Sequence, residues 1–156
     1  MDFEIRKGIL DKQIDQLIEY SLNDESVGKF TSDRERFKNR QAFEEWQQKG
    51  REIFTLNNKN NDLVGIVWTG LKELPEADWT EKFETNKYKL SFSIRIYGEA
   101  RGKGLGVDFM RKCIGDKKDI WLATSNDNIA AKKIYERFGF RQVSKPSDKD
   151  KIVMIY

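Results

Sequence analysis

Histidine is absent from this chain of 156 residues, and there is only one cysteine. Without an imidazole, the chain cannot use a Ser-His-Asp or Cys-His mechanism, a histidine metal ligand or a histidine general base. The lone Cys113 also excludes an internal disulfide and a multi-cysteine metal site. No apolar run approaches the roughly 20 residues that cross a bilayer, and charges interrupt the first ten residues, which argues against a secretory signal. We therefore expect a cytoplasmic protein with no metal and no membrane partner.

The composition indicates one globular domain. Hydrophobic residues make up 38% of the chain and aromatic residues 12%, which is enough for a core although 35% of the residues are charged. The 29 basic and 26 acidic residues leave a formal charge of +3, which is too small to predict nucleic-acid binding. A chain of this length is typical of one domain, so we expect residues 1–156 to form a single domain.

Hydrophobic periodicity predicts a mixed α/β domain built on one sheet. Apolar residues at helical spacing predict a helix over residues 10–20. Ser32 and Glu35 form a capping-box pattern for a second helix, which would run through Trp46 and stop near Gly50. Two later helices are predicted over 105–114 and from a cap at Asn126 or Asp127 to Phe138. Alternation and turn residues predict strands near residues 3–6 and over 52–56, 63–69, 88–97, 120–123, 140–143 and 151–155.

A glycine-rich segment, Arg101-Gly102-Lys103-Gly104-Leu105-Gly106, lies between the longest predicted strand and a predicted helix. Glycines allow a ligand to approach the backbone closely, and a helix start offers unpaired N–H groups, so the segment suits a pyrophosphate. Its spacing is neither that of a Walker A loop nor that of a dinucleotide fingerprint, since Val107 takes the place of the third glycine. Taken alone, the segment is equally consistent with a flexible loop that caps a helix.

A second motif follows about two dozen residues later: Asn128, Ala131 and Tyr135 at fixed spacing, and then Gly139-Phe140. With the glycine-rich segment before it, this ordered pair resembles the GNAT superfamily of acyl-CoA-dependent N-acetyltransferases, most strongly over residues 90–143. The resemblance implies a single α/β domain of mixed α+β character. Its central twisted sheet would have six to seven mostly antiparallel strands, with about four flanking helices and a splay between strands 4 and 5.

The resemblance also implies acetyl-CoA as co-substrate and a set of residues that bind it. In the family, the matching strand segment pairs with pantetheine, the matching loop amides hold the pyrophosphate, and the matching asparagine contacts the cofactor arm. The implied cofactor-binding residues are Ile94, Arg95, Ile96, Arg101, Gly102, Lys103, Gly104, Leu105, Gly106, Val107, Asn128 and Tyr135.

Tyr135 matches the family's catalytic tyrosine, a general acid that protonates the departing thiolate. The role is chemically sound, because a tyrosine with a pKa near 10 is protonated at neutral pH. From its position alone, Tyr135 fits a packing residue at the edge of an apolar helix face better than a general acid.

The residues leave the general base unassigned. Some family members carry a glutamate on the fifth strand, where this chain has about Ala123, and the polar face of the fourth predicted strand has no carboxylate. Three possibilities stay open: Glu73 as the base, a remote acid that acts through water, and attack by the neutral fraction of the amine.

Cys113 lies on an apolar helix face with no histidine to activate it, so we expect a buried hydrophobe and not a nucleophile.

The connection over residues 73–86 has five acidic residues, one lysine and the aromatic Trp79 and Phe83. We hypothesise that it attracts a cationic amine, with Glu73, Asp78 and Trp79 as substrate-binding residues. A solvated surface hairpin is the alternative.

The predicted function is acetyl transfer from acetyl-CoA to a primary amine, on a small molecule or peptide, by direct attack. The alternative is a non-catalytic acyl-CoA-binding sensor, and the family resemblance makes a homodimer a further possibility.

Overall fold

A seven-stranded sheet runs through the computed structural model, which describes residues 2–156, and its strand order is β1-β2-β3-β4-β5-β7-β6. The strands are β1 (Glu4–Lys7), β2 (Glu52–Asn57), β3 (Leu63–Leu71), β4 (Leu90–Ile96), β5 (Ile120–Ser125), β6 (Arg141–Gln142) and β7 (Lys151–Ile155). The helices are α1 (Asp11–Asn23), α2 (Glu25–Phe30), α3 (Asp33–Arg36), α4 (Arg40–Gln47), α5 (Gly106–Ile114) and α6 (Ile129–Phe138).

The predicted fold class is confirmed, including the splay between strands 4 and 5. All neighbouring strands pair antiparallel except β4 and β5, which are parallel. These two pair only at Leu90 with Ile120 and at Ser91 with Trp121, although β4 continues to Ile96 and β5 to Ser125. Beyond Ser91 and Trp121 the strands separate, and we call the space between them the gap.

The second predicted helix is wrong, and its correction raises the helix count from about four to six. The region that was expected to form one helix from Ser32 through Trp46 contains α3 and α4, and α2 precedes it. The Ser32 side chain makes no capping bond, and the Asn39 side chain instead accepts a hydrogen bond from the Ala42 amide and starts α4. Side chains of this type compete with helical hydrogen bonds, so the polar residues between the apolar positions divide the helix.

The two faces of the sheet are covered by different helices. On one face, α5 and α6 bury Phe92, Phe109 and Met110. Cys113 belongs to this core and is 3% exposed, which confirms the expectation of a buried thiol, and burial raises its pKa to about 12. On the other face, α1–α4 pack an aromatic cluster against β3. Its rings are Phe37, Phe43, Trp46 and Trp68.

The connection between β3 and β4 covers the second face farther along, over β5 and β7. Trp79 forms a β-bridge with Ser144, and the Thr80 amide donates to the Val143 carbonyl. Trp79 also packs with Trp121 and Val153 in a third apolar cluster. Within residues 2–156, no helix is long and apolar enough to span a membrane.

Candidate functional site

Half of the β4 backbone faces the gap. At its two ends, the Lys72 amide donates to the Lys89 carbonyl and the Tyr97 amide donates to the Val64 carbonyl, both on the β3 side. Because backbone groups alternate in direction along an antiparallel strand, the odd-numbered residues of β4 bond to β3. The N–H and C=O groups that turn toward the gap are those of Phe92, Ile94 and Ile96.

Arginine side chains bind two of the carbonyls on this open edge. The Ile94 carbonyl accepts from Arg95 Nη1 at 2.9 Å, and the Ile96 carbonyl accepts from Arg101 Nη2 at 3.0 Å. Of the three residues predicted to pair with pantetheine, Ile94 and Ile96 therefore turn their backbone to the gap. The backbone of Arg95 bonds to β3 instead, and its side chain extends along the face covered by α1–α4.

The glycine-rich segment forms a loop between β4 and α5. Gly102 (φ +75°) and Gly104 (φ +71°) adopt a conformation that other residues rarely take, and the space where each Cβ would stand is open. Gly106 begins α5 and packs closely on α6, since a Cβ there would lie 3.0 Å from a methyl group of Ile134. Among residues 2–156, we find no hydrogen-bond acceptor for the backbone N–H groups of residues 102–108.

The side chains of this loop differ in their roles. Arg101 turns back from the loop, and its Nη2 donates to Asp24 Oδ2 at 2.9 Å as well as to the Ile96 carbonyl. Lys103 is exposed, Leu105 and Val107 are half-buried, and α5 has no capping side chain. A row of N–H groups at the start of a nine-residue helix, with the positive end of its dipole, is suited to hold an anion.

Asn128 and Tyr135 both belong to α6, which follows directly after β5. Asn128 is the N-cap, where its Oδ1 accepts from the Ala131 amide at 3.3 Å, so it is Asn128 and not Asn126 or Asp127 that starts the helix. Tyr135 is 6% exposed and packs edge-on against Phe140. Burial raises the pKa of Tyr135, and the positive Arg95 guanidinium partly opposes that rise. The positive charge of Arg95, whose side chain lies on the other face of the sheet, therefore acts on the Tyr135 hydroxyl across the gap.

Part of the opposite face of the sheet is left open between the area covered by α1–α4 and the area covered by the β3–β4 connection, and we call this open strip the trough. The strand registers place Ser93, Arg95, Ala123 and Lys151 on this face. Ala123 is exposed although β5 lies between β4 and β7, and the other three are partly exposed. These four residues define the trough.

A buried ion cluster borders the trough. The Asp33 side chain is fully buried; its Oδ2 accepts from Arg95 Nε at 2.6 Å, and its Oδ1 accepts from Arg95 Nη2 at 3.1 Å and from Arg36. The two guanidinium groups also lie 4.9 Å (Arg95) and 5.5 Å (Arg36) from the ring centre of Trp68. Burial alone would raise the pKa of Asp33, but the two arginines outweigh it and lower the pKa. Sequence analysis missed Asp33, and the one signal for it was the charged side chain of Arg95 on the polar face of β4, for which only a backbone role was predicted.

The three predicted substrate-binding residues, Glu73, Asp78 and Trp79, lie at the other end of β4 from the glycine-rich loop. Asp78 pairs with Lys145 at 3.8 Å, and Trp79 packs edge-on against a phenylalanine of the same connection. Glu73 and Trp79 line a recess of about 230 Å³ that Glu76 and Lys89 also border. Across residues 2–156, no group of three or more acidic or cysteine side chains is arranged to hold a metal ion.

Comparisons with known proteins agree with this geometry. Residues 19–140, well over half of the chain, match the family model described as the acetyltransferase (GNAT) family. A search of curated proteins finds no match. Among solved structures, the chain is similar to an aminoglycoside acetyltransferase in complex with coenzyme A, at 16% identity and a TM-score of 0.69, over 98% of this chain and 94% of the other.

Two further solved structures share the fold. One is the spermidine N-acetyltransferase of Vibrio cholerae in complex with CoA and spermine, at 16% identity and a TM-score of 0.66, over 98% of this chain and 92% of that one. The other is a phosphinothricin acetyltransferase of Sinorhizobium meliloti in complex with AcCoA, at 15% identity and a TM-score of 0.61, over 99% of this chain and 87% of that one. The chain belongs to the acetyltransferase (GNAT) family.

Proposed function

We propose that this protein transfers the acetyl group of acetyl-CoA to a primary amine by direct attack. The observation that carries the proposal is the gap itself: an open β4 edge that leads to a loop of unpaired N–H groups, with Tyr135 on the helix that follows β5. Acetyl-CoA supplies an activated acyl group on a thioester.

The residues present fit this co-substrate. The pantetheine arm contains amide groups, and the backbone of Ile94 and Ile96 offers donors and acceptors that β5 does not pair. The pyrophosphate needs donors at close range, and the N–H groups of residues 102–107 provide them where Gly102 and Gly104 leave the approach open. Lys103 would add positive charge beside the phosphates. Asn128 uses its Oδ1 for the helix cap, so its amide nitrogen is the atom that would contact the cofactor arm.

The proposed reaction needs a proton donor for sulfur. The amine nitrogen attacks the thioester carbonyl carbon, the carbon–sulfur bond breaks, and the sulfur takes the Tyr135 proton. The Tyr135 hydroxyl is protonated at neutral pH, and burial, which raises its pKa, keeps it so. Because the same rise makes the phenol a weaker acid, the proposed donation depends on its position beside the departing thiolate. The amine must lose its own proton, and the lowered pKa of Asp33 makes that carboxylate a poor acceptor. We propose that the amine attacks from its neutral fraction, that the nitrogen loses one proton to water after attack, and that water returns a proton to the Tyr135 phenolate, which closes the cycle.

The acceptor of the reaction was expected to be cationic because of the acidic β3–β4 connection. Two of the acidic side chains are in ion pairs, Asp78 with Lys145 and Glu81 with Arg141. The cationic acceptor stays a prediction, now dependent on the remaining three acidic residues, Glu73, Glu76 and Glu84. The homodimer and the cytoplasmic location also stay predictions.

The proposal is tested by measuring acetyl-CoA binding by calorimetry and thiol release over a broad amine panel. For Tyr135→Phe, which keeps the ring that packs against Phe140, we expect turnover to fall about 10²- to 10⁴-fold with little change in acetyl-CoA affinity. Tyr156→Phe is the matched control, since Tyr156 is 37% exposed at the chain end and its variant should keep full activity.

Binding of acetyl-CoA without thiol release from any amine would favour the sensor alternative over the enzyme. Full activity in Tyr135→Phe would show that the tyrosine is a packing residue and would remove the proposed general acid. Failure to bind acetyl-CoA at all would overturn both functions.

A further inference from the structure

Positive charge exceeds negative charge around the trough. Arg36 and Arg95 share the single buried carboxylate of Asp33, so this ion cluster already has a net charge of +1. Two more cations, Arg51 and Lys151, approach the same face of the sheet. We find no ion pair for either of them among residues 2–156.

Lys151 joins the two sides of the gap. Lys151 lies on β7 and pairs in register with Ser125, at the end of β5 that has separated from β4. Its Nζ donates to the Phe30 carbonyl at 3.1 Å, at the end of α2. Burial and the positive charges of Arg95 and Arg36 lower the pKa of Lys151, and the negative charge of Asp150 only partly opposes this effect. A neutral carbonyl does not neutralise the ammonium charge.

Arg51 borders the other end of the same face. A Cβ placed on Gly70 would lie 2.8 Å from Arg51 Cδ, and Gly70 is in register with Ser91 of β4. The Arg51 guanidinium lies 5.5 Å from the ring centre of Trp46, which keeps it against the aromatic cluster. Arg51, Arg36 and Arg95 thus follow the β3 and α1–α4 side of the trough, and Lys151 extends toward them from β7 on the opposite side.

Like charges that are partly removed from water repel one another and gain stability when an anion binds between them. The cations lie near Ser93, on the face across the gap from Tyr135, where the proposed acceptor must approach the thioester. A polycationic acceptor would meet repulsion there. An acceptor with its own acidic group would be attracted and oriented, with its amine directed to the gap.

We propose that the acceptor is a small amine that carries a carboxylate or a similar anionic group, that Lys151 and Arg36 bind this group, and that Arg51 adds positive charge from the other end of the trough. Asp33 holds Arg36 and Arg95 in position and leaves their outer N–H groups to the ligand. The inference rests on the proposed acetyl transfer, and it narrows the predicted cationic amine to one that also carries an anionic group, as an amino acid does.

The test compares acceptors that differ only in this charge. Amino acids and their carboxamides, with aminophosphonates as a second anionic set, are assayed for thiol release with acetyl-CoA at low and at moderate salt. We expect at least one anionic acceptor to exceed its uncharged amide by about tenfold or more in kcat/KM, the factor that one charge-assisted hydrogen bond supplies. The advantage should shrink as salt rises.

Paired variants assign the effect to the trough. Lys151→Gln should reduce the preference for the acid over the amide about tenfold, mainly through KM. Lys149→Gln removes the same charge from an exposed position two residues away and should leave the preference unchanged. Arg51→Gln is the second variant, used if circular dichroism shows that Lys151→Gln does not fold.

The outcomes separate the inference from the function on which it depends. Normal acetyl-CoA binding with amides or polyamines as the better acceptors, or with other amines but no anionic amine acetylated, overturns the inference and leaves acetyl transfer in place. An equal preference in Lys151→Gln, Arg51→Gln and Lys149→Gln also overturns it. Loss of acetyl-CoA binding by the wild-type protein overturns the proposed function instead.

Discussion

Asp33→Ala is expected to be the most destabilising change at the ion cluster. The substitution removes a fully buried carboxylate and leaves the guanidinium of Arg95, whose side chain is only 16% exposed, without its ionic partner. Removing one member of a buried ion pair costs about 3–5 kcal/mol, because the remaining charge is uncompensated. Asp33→Asn should cost less, since its amide oxygen still accepts one hydrogen bond.

Urea unfolding followed by tryptophan fluorescence measures this loss, because Trp68 contacts both arginines of the cluster. Glu35→Ala is the matched control: it removes a carboxylate from the same short helix, but one that is 82% exposed and paired only with Lys38. Exposed pairs contribute about 0–1 kcal/mol, so the control should unfold almost like the wild type. A loss of less than about 1 kcal/mol for Asp33→Ala would refute the argument that the pair is buried and essential.

The same cluster predicts a dependence of stability on pH. The pKa of Asp33 is lower in the folded state than its usual value, because the two arginines outweigh the effect of burial. Its stabilisation is therefore fully present above the unfolded pKa of about 3.9 and is lost as the pH falls through the lower folded pKa. Asp33→Asn should show a smaller drop in unfolding free energy below pH 4 than the wild type. Identical acid profiles would contradict the assignment.

Two further predictions concern the α5–α6 side of the sheet. Gly139→Ala should lower the unfolding free energy by about 1–3 kcal/mol, because Gly139 has φ +127° and a Cβ there would lie 3.0 Å from the Tyr156 ring. An unchanged midpoint of urea unfolding would contradict this prediction. Cys113 is buried and has a raised pKa of about 12, so it should react with a thiol-specific disulfide reagent at pH 8 only after unfolding in urea. Rapid labelling of the native protein would show instead that the thiol is accessible.

The strands and the two C-terminal helices could be predicted from the sequence because their signals are local. Residues 90–96 alternate strictly, and the α6 helix ends at a glycine with positive φ. The N-terminal helices could not be predicted well, since Thr31 and Asn39 divide them through side-chain hydrogen bonds that compete with a long helix. The helix cap by Asn128 was also missed, because neighbouring polar residues offer the same chemistry.

The polar side of the candidate site depends on contacts between distant parts of the chain. Asp33 and Arg95 are 62 positions apart, and Lys151 bonds to a carbonyl 121 positions earlier. No periodic pattern connects such pairs. The acidic residues after β3 are visible in the sequence as a local group, but the two distant cations that pair with Glu81 and Asp78 are not. The expectation of a cationic acceptor came from that local count.

A crystal structure with acetyl-CoA bound is the most direct measurement of how this protein works. We expect the phosphates against the amides of residues 102–107, the pantetheine arm along Ile94 and Ile96, and the sulfur within hydrogen-bonding distance of the Tyr135 hydroxyl. Density for the ligand elsewhere on the surface, or a Tyr135 hydroxyl directed away from the sulfur, would contradict the account.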